Sequence, residues 1–107
     1  MKQTSLDPAQ LRDRAGEAAR LLRTMSNEHR LMILCRLGDS ELSAGELQSG
    51  TTLSQSALSQ HLAVLREDGL VATRRAGLNI FYRIADPSVL RVIETLAAIF
   101  CPEDLKP

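Results

Sequence analysis

The sequence predicts a mainly α-helical chain carrying one β-hairpin, an α+β arrangement in a single domain over residues 1–107. Three observations point there. Helix start and stop signals recur: Asp7-Pro8, Asn27, Ser43-Ala44-Gly45-Glu46, Ser54 and Asp86-Pro87 at starts, and Gly38, Gly50 and Gly69 at ends. Residues 70–84 instead alternate with period two and are rich in β-branched and aromatic side chains. The 107 residues suit one domain, and 44% hydrophobic with 24% charged residues is ordinary globular usage.

Residues 1–6 read as a disordered tail. Pro8 opens a first helix over about 8–24, whose Leu11, Ala15, Ala18 and Leu22 form one apolar stripe. Ser26-Asn27 caps a second helix with Leu31, Leu34 and Cys35 as its inner face, ending at Gly38. The Ser43-x-x-Glu46 capping box starts a short third helix that Gly50 closes. Ser54 caps a fourth helix, in which Leu58, Leu62 and Leu65 at i, i+4 and i+7 face the core until Gly69 stops it. Val71 and Thr73, then Ile80, Tyr82 and Ile84, form the alternating arms of a hairpin with its turn at Ala76-Gly77. Asp86-Pro87 opens a last helix to about Phe100, with Pro102 beyond its end. A short helix, a brief connection, a second helix and a hairpin make a winged helix-turn-helix.

The fourth helix carries an unusual surface. With its leucines inward, Ser54, Gln55, Ser56, Ser59, Gln60 and His61 occupy the first two turns, and no acidic residue precedes Glu67. A recognition helix reads base edges with its N-terminal turns. Gln can bond adenine bidentately, Ser reaches bases or phosphates, and the helix dipole favours phosphate nearby. A polar, solvent-facing surface would explain the same residues, but a basic hairpin follows. Its Arg74, Arg75 and Arg83, with Asn79 near the tip, suit phosphates or the minor groove. Ser54, Gln55, Ser56, Ser59, Gln60, His61, Arg74, Arg75 and Asn79 are therefore the DNA-binding candidates. The partner expected is double-stranded operator DNA. Net charge is zero, with 13 basic and 13 acidic residues, so contact with DNA must come from a local patch.

Other classes find little support. A redox enzyme would need a Cys-x-x-Cys, a Cys–His pairing or a phosphate loop, and the sequence has none. A protein-binding module would favour aromatics, Met and Arg over a Ser/Gln face. No stretch approaches the ~20 apolar residues of a membrane span, and MKQTSLDPAQ lacks the apolar run of a signal peptide. A cytoplasmic protein, with its thiols kept reduced, is expected. The last helix has two adjacent apolar stripes, Leu90, Ile93, Ala97, Phe100 and Val89, Val92, Leu96, Ile99. A helix apolar over that much of its circumference needs a second surface, which predicts a homodimer through the first and last helices.

From about Leu22 to Cys101 the sequence resembles the ArsR/SmtB family of dimeric winged-helix repressors, through NEHRLMIL, LSAGELQ, LSQSALSQHLAVLREDGLV and TRRAGLNIFYRI. Within that family it resembles the HlyU/BigR branch, regulators responsive to thiol oxidation or reactive sulfur, through Cys35 in RLMILCRLGDSELS and Cys101 in AAIFCPE. The resemblance implies a dimer on an imperfect palindrome, a redox-sensing pair Cys35 and Cys101, and a small oxidant or reactive sulfur species as inducer. By themselves both cysteines could be small hydrophobes, and a helix C-terminus disfavours a thiolate at Cys101. Metal-sensing relatives use Cys-x-Cys at the helix-turn-helix or His residues on the last helix. SAGELQSG has no Cys and SVLRVIETLAAIF no His, so neither a metal nor another cofactor is expected. A regulator without a thiol switch, metal-responsive or constitutive and displacing another silencer, is the alternative.

Overall fold

Each helix begins at the cap its sequence supplies. A computed structural model describes residues 7–101; the expected tail at 1–6 and Pro102 lie outside them. The order is α1 (Pro8–Met25), α2 (Glu28–Leu37), β1 (Leu42–Ser43), α3 (Ala44–Ser49), α4 (Gln55–Glu67), β2 (Val71–Ala76), β3 (Asn79–Ile84) and α5 (Pro87–Phe100). The side chains of Asp7, Asn27, Ser54 and Asp86 each accept a first-turn backbone N–H. At α3 the capping box is complete: Glu46 N–H donates to Ser43 Oγ at 3.1 Å, and Ser43 N–H to Glu46 Oε1 at 2.8 Å.

The core joins α2, α3, α4 and α5 at one centre. Leu34, Leu37, Leu47, Leu65 and Val89 are fully buried, with Leu58, Leu62 and Ile93 around them. Truncating any of the central leucines to Ala would cost ~2–5 kcal/mol. The expected inward leucines of α4 are all in place. The inner face of α2 is not as expected: Ile33, Leu34 and Leu37 are buried, Leu31 is half-buried, and Cys35 is exposed. Because α4, α5 and β3 all pack on α2, they select a face centred on Leu34 and Leu37 that leaves Cys35 outside.

The stripe of α1 also points outward. Leu11 and Leu22 are 61% and 59% exposed, and only the end of the helix, Thr24 and Met25, is buried. At the other terminus Phe100 is 76% exposed.

The hairpin belongs to a three-stranded antiparallel sheet in the order β1-β3-β2. The short β1, not expected from the sequence, pairs Leu42 with Tyr82 and Ser43 with Phe81. Ala76 remains in the ladder opposite Asn79, so the turn is Gly77-Leu78 rather than Ala76-Gly77. Gly77 has φ 64°, which fits the first central position of a type II′ turn. Leu70 locks wing to helix. It is buried, its N–H donates to Leu65 C=O, and its C=O accepts from Ala85 N–H, both at 2.9 Å.

Candidate nucleic-acid interface and thiol pair

Burying Leu58, Leu62 and Leu65 decides what α4 shows to solvent. Ser54, Gln55, Ser56, Ser59 and Gln60 are all exposed, and the first turn has no acidic residue. Ser54 Oγ accepts Ala57 N–H at 3.0 Å, yet its hydroxyl hydrogen can still donate outward. The turn into α4 is itself tied: Gln48 Nε2 donates to Leu53 C=O at 2.8 Å.

His61 differs from its neighbours. It is half-buried, its ring centroid is 5.5 Å from that of His29, and Arg30 Nη1 is 3.5 Å from its Nδ1. Arg30 Nε also donates to Thr24 C=O at 2.7 Å, so one guanidinium touches the end of α1 and the middle of α4. Desolvation holds the His61 imidazole below its ordinary range, and the charges of Arg30 and His29 push the same way. A neutral ring can accept from Arg30.

The two wing arginines of β2 part company. Arg74 forms a fork with Glu41, Nη2 to Oε1 at 2.8 Å and Nε to both oxygens at 3.0 Å, and lies over Phe81 at 4.6 Å from the ring centroid. Arg75 has no carboxylate partner among the described residues, and it is exposed together with Leu78 and Asn79 at the tip. Glu41 and Arg30 were missed by sequence reasoning. Glu41 lies 33 residues from Arg74 and gives no local signal; Arg30 reads as an ordinary helix charge.

Cys35 and Cys101 are both free thiols on exposed residues. Cys101 is the C-cap of α5, its N–H donating to Ala97 C=O at 2.7 Å, and α5 packs on α2. Although its residue is exposed, the Cys35 thiol is partly desolvated, which pushes its pKa up; the charge of Cys101 pushes it further. Among the described residues no three His, Cys, Asp or Glu side chains gather to hold a metal, and no helix is long and apolar enough to cross a membrane.

Residues 27–73 match the family described as bacterial regulatory protein, arsR family. The transcriptional activator HlyU of Vibrio cholerae is 46% identical over 94% of this chain and 94% of that protein. The chain belongs to the arsR family. A biofilm growth-associated repressor of Agrobacterium fabrum is 50% identical over 85% of this chain and 79% of its own length. Reduced HlyU from Vibrio cholerae superposes with a TM-score of 0.82 at 50% identity, covering 86% of this chain and 97% of that one. The repressor BigR from Xylella fastidiosa gives 0.84 at 42% identity, covering 90% and 98%. These relatives are regulators of transcription rather than enzymes, and this arsR-family chain is a DNA-binding regulator built on the winged helix-turn-helix. The matched residues run from the cap of α2 into β2, so the family signature covers the whole helix-turn-helix.

Proposed function

We propose that this arsR-family regulator acts in the cytoplasm as a homodimer on an imperfect palindrome, and that oxidation or persulfidation of Cys35 and Cys101 releases it. Ser54, Gln55, Ser56, Ser59, Gln60 and His61 enter the major groove, and Arg74, Arg75 and Asn79 serve the flanking backbone or minor groove. The exposed apolar residues Leu11 and Leu22 of α1 and Ile99 and Phe100 of α5 support a second copy as the occupant of that face. Light scattering that reports a monomer at micromolar concentration would contradict it.

The observation that carries the switch is the placement of two exposed thiols, Cys35 on α2 and Cys101 at the end of α5, on helices that pack together. With peroxide, two thiols become one disulfide and peroxide becomes two waters. With an organic persulfide, one thiolate takes the outer sulfur and the organic thiol leaves. The second thiolate then attacks the inner sulfur, a disulfide forms, and hydrogen sulfide leaves. The bridge joins α2 to the end of α5; with α5 in the dimer interface, the two recognition helices change separation. A coupling of ~1–3 kcal/mol gives a 5- to 150-fold change in affinity.

Intact-mass spectrometry with DNA titrations on the same samples tests this. A Cys35–Cys101 link formed by persulfide, peroxide or a disulfide reagent, with weaker binding, is the expected result. Thiols that stay free, or a link without effect on binding, favour the second reading: a regulator with no thiol switch, metal-responsive or constitutive, that antagonises another silencer. The raised pKa of Cys35, which lowers its thiolate fraction, is the observation on that side.

A further inference from the structure

Arg36 sits beside Cys35 on α2, but its side chain runs to a different element. Its Nη1 donates to Leu47 C=O and its Nη2 to Glu46 C=O, both at 2.9 Å. These carbonyls belong to the last turn of α3, where the negative dipole end favours a cation; Leu47 C=O also accepts Gly50 N–H and Glu46 C=O the Ser49 hydroxyl, and Arg36 uses their remaining lone pairs. With only six residues, α3 has little stability of its own. Its capping box holds one end, buried Leu47 holds its face, and Arg36 holds the other end.

Gly50 makes room for this contact. Its φ is −97°, an ordinary value for any residue, so its backbone does not require glycine. A Cβ at Gly50, however, would overlap the Arg36 guanidinium carbon and both terminal nitrogens. The guanidinium lies across Gly50 because no side chain is there. From the clamped turn Gln48 reaches on to Leu53 C=O, and Ser54, the cap of α4, follows.

We propose that Arg36 is a positioning residue for DNA recognition: seated over Gly50, it clamps α3 to α2 and so sets where the recognition helix begins. This rests on α4 being the DNA reader. Arg36 itself need not touch DNA, since both its terminal nitrogens are already engaged.

The probe is a duplex selected by the full-length wild-type protein from a randomised pool, with random-sequence duplex for comparison. Well below the melting temperature of each variant, Arg36→Met and Gly50→Ala each lower affinity for the selected duplex roughly tenfold. Random duplex is bound as before, and the dependence on salt is unchanged. The double variant is no weaker than the worse single one, because both changes abolish the same contact. Arg36→Lys, which keeps the charge and one donor, falls between, and it guards against a Met variant that folds poorly. Without DNA, amide exchange over residues 50–54 rises in Arg36→Met while α5 is unaffected. Full specific binding by Arg36→Met, additive losses in the double variant, or a salt slope reduced by about one would overturn the clamp. A wild-type protein that selects no duplex would instead remove the DNA reading on which it stands.

Discussion

Arg20 on α1 donates through Nη2 to Asp68 Oδ1 at 2.7 Å, so the C-cap of α4 is fastened to the first helix, 48 residues earlier in the chain. Thr24 Oγ1 donates to the other oxygen of the same carboxylate. These two bonds hold the Asp68 carboxyl below its ordinary range. They differ in setting: Thr24 is buried, whereas the Arg20 side chain is 66% exposed. Thr24→Val should cost ~1 kcal/mol, a fall of about 4–8 °C in Tm for a chain this short. Arg20→Ala should cost less, and less again in high salt. Melting curves at two salt concentrations check the order; a larger loss from Arg20→Ala would reverse it.

Replacing Gln55, Ser59 and Gln60 together by Ala should leave the melting temperature and oligomeric state unchanged, because all three are exposed. Specific DNA binding should collapse, by about 1–3 kcal/mol for each bidentate pairing with a base that is removed. Binding to random duplex should persist through phosphate contacts. Titration against both duplexes reads the difference, and equal weakening on the two would deny α4 its role in base reading.

Arg74 and Arg75 are neighbours with different expected phenotypes. Arg75→Ala should weaken binding to all sequences and lower the salt slope by about one. Arg74→Ala should act first on the sheet, because it removes the fork to Glu41 and the stacking over Phe81. It should loosen β2 in amide exchange and change the salt slope less. A larger slope change for Arg74 would mean that DNA displaces Glu41.

Acid should loosen the contact between α2 and α4. The folded protein holds the His61 pKa down, so unfolding takes up a proton. That contribution is fully present above the unfolded value of ~6.5, and it is lost as pH falls through that value toward the lower folded one. Melting temperature should be flat from about pH 8 to 7 and decline below about 6.5. His61→Gln should flatten the decline; an unchanged profile would assign it to other groups.

Local signals carried most of the fold. Asp7, Asn27, Ser43, Ser54 and Asp86 could be recognised because a cap bonds within three residues of itself, and each does so. The inward leucines of α4 followed from period alone. What escaped depended on distant partners. No periodicity marks β1, only two residues long, whose pairing is set by Tyr82 and Phe81. Cys35 lay on a face that looked apolar by spacing, but neighbouring elements chose another. Gly50 read as a helix stop, and the reason for glycine there is visible only once Arg36 is in place. In the site, the Ser/Gln face was legible from what it lacks, a carboxylate, whereas the division of labour between Arg74 and Arg75 required Glu41.

Leu70, bonded to the end of α4 on one side and to Ala85, just past the end of β3, on the other, ties α4 directly to the base of the wing. On the proposed function the two are jaws of one gauge, joined at that tie. If α4 reads bases and the wing touches a flanking step, as proposed, a duplex with one base pair inserted between them strains that tie. One of the two grips must be given up, so spacing within each half-site should be as strictly selected as the bases themselves.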